Sequence, residues 1–192
     1  MEKQQNQFDE TFDVLVVGSG CGGLTAALTA DIASPSKVLV VEKSHLIGGT
    51  SATSGGVIWI PDNHLAKEKG ANDSISEAKE YLKATIPADE FNEPLIDAYL
   101  DQGPKMVKFM EENTDAKYTS LEHYPDYFQD APGVKLGNRA LEPLPVSAAT
   151  LEDDVDNLHP SGPQTIVFGR YCVNFEESHA FTTQSPGWFR LF

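Results

Sequence analysis

Six residues near the start of the chain, Gly18-Ser19-Gly20-Cys21-Gly22-Gly23, form the pattern G-x-G-x-x-G. Each glycine has a use where a pyrophosphate must lie against backbone. Gly18 permits a tight turn, Gly20 has no side chain to hold a phosphate off, and Gly23 lets a helix pack closely on a strand. A helix opened by such a loop presents unpaired N–H groups and partial positive charge to the phosphates. Further on, Glu42 supplies a carboxylate that can accept hydrogen bonds from both hydroxyls of an adenosine ribose. The pattern is short and weak by itself, and its weight depends on the elements around it.

Those elements are legible. Phe12-Asp13-Val14-Leu15-Val16-Val17 ends in a continuous apolar run, as expected of a parallel strand buried on both faces. Leu24, Ala27, Leu28 and Ile32 then recur at helical spacing. Ser34-Pro35-Ser36 breaks that helix, and Val38–Val41 reads as a second buried strand with Glu42 at its end. Strand, helix and strand in this order make a βαβ unit with a right-handed crossover. Residues 44–61 are rich in Gly, Ser and Thr and show no helical period. Ser74-Ile75-Ser76-Glu77 is a capping box, opening a helix that carries Ile75, Ala78, Leu82 and Ile86 and stops at Pro87. Asn92-Glu93-Pro94 opens a second helix. Gly103-Pro104 is expected to break it, with a third over Met106, Val107 and Met110. Beyond Asn113 the pattern gives way to turns, with short helices expected at 147–157 and 175–183. No internal repeat is present.

The chain has 192 residues and a formal net charge of −15. That length suits one domain or one domain plus part of another. The acid excess argues against a nucleic-acid partner or an anionic membrane, since phosphates are repelled over most of the surface. No apolar run approaches a membrane span, and the polar start from Met1 to Phe12 does not have the form of a secretory signal. Cys21 and Cys172 make no disulfide framework, so a cytoplasmic location is expected. No metal site is expected: the five histidines form no spaced cluster, and the acids Glu152-Asp153-Asp154 and Asp156 read as a solvated helix start.

The glycine pattern does not choose between NAD and FAD, but the next segment does. Glu42-Lys43-Ser44 is followed by Gly48-Gly49-Thr50-Ser51 and by Ser54-Gly55-Gly56-Val57-Ile58-Trp59-Ile60-Pro61. Here the chain resembles the fumarate reductase/succinate dehydrogenase flavoprotein superfamily, and within it the 3-oxosteroid 1-dehydrogenase branch. Tyr124-Pro125-Asp126-Tyr127-Phe128, Gly137-Asn138-Arg139, Leu141-Glu142-Pro143, Phe168-Gly169-Arg170 and Pro186-Gly187-Trp188 extend the likeness. It implies an α/β FAD/NAD(P)-binding fold, Rossmann-like and three-layered, interrupted by the start of a helical, loop-rich substrate or cap domain. Residues 1–61 would be the first part of the FAD-binding domain. Residues 62–192 would hold further helices and the start of the cap. The implied cofactor is FAD, held without a covalent link by Gly18, Ser19, Gly20, Cys21, Gly22, Gly23, Glu42, Lys43, Ser44, Gly48, Gly49, Thr50, Ser51, Ser54, Gly55 and Gly56.

By the same resemblance the reaction desaturates the ring of a 3-ketosteroid. A hydride leaves for the flavin, a tyrosinate-like base removes a proton, and donors polarise the ketone. Tyr127 is the candidate catalytic residue, as a hydrogen-bond partner near the base, with Tyr124 its rival. Trp59, Tyr124, Tyr127 and Phe128 are expected to wall an apolar cleft beside the Gly55-Gly56 segment. The partners implied are a steroid-like apolar ketone and an electron acceptor. A fumarate-reductase-like flavoprotein is the alternative, but it needs Arg and His clamps on carboxylates, and only Arg139, Arg170 and Arg190 are present. Family members are considerably longer, so a truncated chain without catalysis is a further reading.

Overall fold

The computed structural model describes residues 10–162, 166–167, 171–172 and 174–183. The residues form two compact units, one of residues 1–53 with 151–160 and the other of 54–150 with 161–192. The Phe168-Gly169-Arg170 and Pro186-Gly187-Trp188 blocks lie outside the described residues.

The first unit is the βαβ element. Strand β1 (Val14–Val17) pairs in parallel with β2 (Val38–Val41), Val14 opposite Val38 and Val17 opposite Val41. The crossover between them is helix α1 (Cys21–Ala33), ending at Ser34 as the Ser-Pro-Ser break requires. Burial on both faces of the sheet is not what the described residues show: Leu15 is 61% exposed and Val17 80%. No residue of α1 is buried either. Val16 faces α1, where a Cβ on Gly23 would stand 3.4 Å from its Cγ1, so Leu15 and Val17 fall on the opposite face, and one helix cannot cover both. A five-residue helix, α2 (Gly49–Thr53), interrupts the segment expected to lack one. The Ile47 amide donates to the Asn157 carbonyl and the His159 amide to that of Ile47, attaching residues 151–160 to this unit.

The second unit carries a three-stranded antiparallel sheet that sequence periodicity did not show. Strand β3 (Ile58–Trp59), β4 (Tyr118–Ser120) and β5 (Ala140–Pro143) are ordered β3-β5-β4. Strands of two to four residues are too short to display alternation. Helix α3 (His64–Glu68) starts at buried Asn63, whose side chain accepts from the Ala66 amide and donates to the Ile60 and Asn138 carbonyls. Helix α4 (Ile75–Thr85) opens on the expected box: the Ser74 hydroxyl accepts from the Glu77 amide and donates to its carboxylate.

Helix α5 (Glu93–Asn113) is continuous, correcting the expected break at Gly103-Pro104. Leu100, Gly103, Val107 and Met110 recur at helical spacing and are all buried. Gly103 lies against Ile60, where an added Cβ would stand 3.3 Å from the isoleucine Cδ1. Burial of that face offsets the roughly 3 kcal/mol of an internal proline. Ile60, Val107 and Leu141 form the centre of the core. The acidic stretch expected at 147–157 is a 3-10 segment, Ala148–Asn157, broken at Glu152 with φ 48°. A short antiparallel pair, β6 (Ile166–Val167) with β7 (Tyr171–Cys172), precedes the expected last helix, α6 (Phe175–Thr183).

Candidate functional site

In the first unit the loop between β1 and α1 is built from backbone. Gly18 has φ +100°, which a side chain opposes. A Cβ on Gly23 would stand 2.0 Å from the Gly18 carbonyl oxygen, so no other residue fits there without moving the loop. Gly20 caps α1 with extended backbone and no side-chain cap bond. The first turn is open apart from the Cys21 amide, which donates to the Ser51 hydroxyl at 3.0 Å. An uncapped helix start bordered by glycines fits a pyrophosphate.

Ser19 is buried and organises this loop. Its hydroxyl donates to Glu42 at 2.7 Å and accepts from the Gly48 amide at 2.9 Å, joining three of the expected segments. Its amide also donates to Glu42, as does that of Ser44. These donors, the Ser19 amide foremost, hold the Glu42 carboxyl down from 4.5 to about 2. Glu42 is therefore a fixed anion at neutral pH, able to accept from ribose hydroxyls. Cys21, Lys43 and Ser44 are exposed, as is Thr50, while Gly49 and Ser51 are half-buried. Gly48 has φ +100° and sits against Ala52.

The second unit contains Ser54, Gly55 and Gly56. The Ser54 hydroxyl accepts from the Gly56 amide, and a Cβ added at Gly55 would meet nothing within 4 Å among the described residues. This unit also holds an apolar cleft of about 310 Å³. Trp59, Tyr124, Tyr127 and Phe128 all line it, with Tyr81 and Leu82 from α4. Tyr127 is 82% exposed, and its hydroxyl lies 3.5 Å from that of Tyr124. The Tyr127 hydrogen bond, with some burial, pushes the Tyr124 phenol above its usual value of 10. That suits Tyr124 to donating a proton in a hydrogen bond rather than to acting as a tyrosinate.

Sequence reading missed the group behind the aromatics. Arg139 is 1% exposed, and its guanidinium donates to Asp73 through Nε and Nη2 and to Asp126 through Nη1, at 2.7–3.0 Å. Burial pushes the Asp73 carboxyl up. The Arg139 hydrogen bonds and charge, with the Asp62 and Ser74 amides, outweigh it and hold Asp73 below its ordinary value. Arg139 is thus enclosed and does not serve as a clamp on a substrate carboxylate. Arg170 and Arg190 lie outside the described residues. The available signal was Arg139 itself, one of three arginines in an acidic chain, 13 positions after Asp126.

Among the described residues no helix is long and apolar enough to cross a membrane. Residues 13–154 match the model of a protein family described as FAD binding domain. The chain is 43% identical over 153 residues to 3-oxosteroid 1-dehydrogenase of Mycobacterium tuberculosis, covering 79% of this chain and 27% of that protein. It is 40% identical over 173 residues to 4-oxocyclohexanecarboxylate 2-dehydrogenase of Sinomonas cyclohexanicum, covering 90% and 29%. The crystal structure of 3-ketosteroid Δ1-dehydrogenase from Sterolibacterium denitrificans, in complex with 1,4-androstadiene-3,17-dione, superposes with a TM-score of 0.85. It is 40% identical and covers 93% of this chain and 31% of its own. The chain therefore spans between a quarter and a third of these relatives' length.

Proposed function

Because the chain belongs to the FAD binding domain family, its cofactor is FAD, and we propose that the full-length protein dehydrogenates a 3-ketosteroid or a similarly apolar cyclic ketone. The observation that carries this reading is the cleft. Four aromatics named from sequence line one cavity, and among the described residues no lysine, arginine or histidine lines it with them. A flat hydrocarbon gains roughly 25 cal/mol per Å² buried there. A free carboxylate would find no countercharge among the described lining residues, and it would face Asp126. This disfavours a dicarboxylate substrate, and equally a small ring carrying a carboxylate.

In this proposal the N-terminal turn of α1 holds the pyrophosphate, Glu42 holds the adenosine ribose, and the Gly48–Ser51 and Ser54–Gly56 segments contact the rest of the cofactor. Bound FAD supplies the hydride acceptor. Tyr127 donates or accepts a hydrogen bond beside the proton-abstracting base, with Tyr124 as its neighbour. The domain assignment, with the FAD-binding part over 1–61 and the cap beginning in 62–192, belongs to the same proposal. So do a separate electron acceptor and a cytoplasmic location, which the exposed free thiol of Cys21 fits.

The test is anaerobic mixing of the full-length flavoprotein with a panel of 3-ketosteroids, read as bleaching of the oxidised flavin band. Bleaching supports the proposal. Bleaching by none of them, together with reoxidation of the reduced protein by fumarate, moves the function to reduction of a small acid. Tyr127→Phe is expected to slow bleaching at least about tenfold, or about 1.4 kcal/mol of barrier. An unchanged rate removes Tyr127 from the site.

A further inference from the structure

Trp59 is held by several contacts. Its indole Nε1–H donates to Asp126 Oδ1 at 2.6 Å, a short charge-assisted bond. The Arg139 guanidinium lies 5.5 Å from its ring centre, the Tyr99 ring stacks on it at 6.5 Å, and the Tyr99 hydroxyl donates to its carbonyl. The other Asp126 oxygen accepts from Arg139 and from the Lys135 amide. The Asp126 amide donates back to the Lys135 carbonyl at 2.9 Å. The loop bearing Tyr124, Tyr127 and Phe128 is tied down again where the Phe128 amide donates to the Tyr81 hydroxyl at 3.1 Å.

A buried ion pair is poor evidence of added stability, because desolvating the charges offsets their attraction. This cluster has a geometric consequence instead. Asp126 is the junction between the Trp59 wall and the tyrosine loop, which are 67 positions apart in sequence. We propose that Asp126 is a positioning residue that acts through Trp59: its carboxylate fixes the indole against the tyrosine loop and so sets the opening of the aromatic cleft. The effect on ligand rests on reading that cleft as the substrate site, whereas the hold on Trp59 does not.

The experiment uses the full-length flavoprotein labelled only at tryptophan. The Trp59 indole N–H signal is assigned by its loss in Trp59→Phe. In Asp126→Ala that signal is expected to shift, and its protection from hydrogen exchange to fall at least about tenfold. The dissociation constant for 1,4-androstadiene-3,17-dione is expected to rise at least about fivefold. In the Trp59→Phe background the same Asp126 substitution should change affinity less than twofold, since its route of action is gone. Should Asp126→Ala not fold, Asp126→Asn preserves the volume and is read the same way. An unmoved Trp59 signal in the folded variant overturns the proposal, as do affinity effects that simply add. If the wild-type protein binds no ketone while the Trp59 signal still moves, the cleft's assignment as the substrate site fails and the positioning role stands.

Discussion

The two units solve the problem of making a site in opposite ways. The first builds its loop from main chain: glycines at fixed spacing, an open helix start and one anchored carboxylate. The second builds its cleft from side chains drawn from α4, β3, β5 and the loop between β4 and β5. Their interiors differ in the same sense. Among the described residues every buried core hydrophobic, from Ile60 to Leu141, belongs to the second unit, whereas α1 buries nothing and Leu15 and Val17 stand open. A backbone site needs little support, because the dihedrals of a few contiguous residues define it. A side-chain site requires a packed interior to hold distant residues in register.

The sharpest way to test that contrast is to break the charge cluster. Arg139→Met leaves Asp73 and Asp126 buried without their cation. It should cost about 3–5 kcal/mol in urea denaturation followed through tryptophan fluorescence. A loss below about 1 kcal/mol would mean that the second unit does not depend on it. Leu141→Ala in the 192-residue chain should cost about 2–5 kcal/mol, against less than about 0.5 kcal/mol for exposed Val17→Thr. Equal costs would erase the difference between the interiors. Gly23→Ala should leave the stability of the second unit unchanged, yet weaken FAD retention in the full-length protein at least tenfold, about 1.4 kcal/mol. Tight flavin binding by that variant would show that the close approach to Gly18 is dispensable.

The smallest effect concerns pH. The Glu42 carboxyl is lowered in the folded state, so its contribution to stability is present above 4.5 and is lost as pH falls towards about 2. Ser19→Ala removes one of its donors and should raise that titration towards the ordinary range, as followed by carboxyl carbon NMR. No movement would detach Ser19 from Glu42.

How much could be read in advance follows from the same division. Val14–Val17 and Val38–Val41 were adjacent and parallel as their apolar runs required, and α1 ended at Ser34. The capping box at Ser74 formed because its two partners are three residues apart. Where a local signal met tertiary packing, packing won: Pro104 remained inside α5 because Gly103 and Val107 are buried against the core. Gly133 shows the reverse limit. It looks like an ordinary turn residue, yet a Cβ there would stand 2.1 Å from the Glu77 carbonyl oxygen, which fastens the loop to α4.

The sequence by itself determined the glycine loop between β1 and α1, the carboxylate of Glu42 beyond β2, and the residue types of the four cleft aromatics. The first two depend on residue type and spacing within a short stretch. Only the tertiary structure decided that Arg139 is an enclosed structural cation, not a carboxylate clamp, and that Asp126 holds Trp59. Those facts rest on contacts between residues up to 67 positions apart. An arginine carries the same charge in the sequence whether it faces solvent or two buried carboxylates, and burial alone determines what that charge can touch.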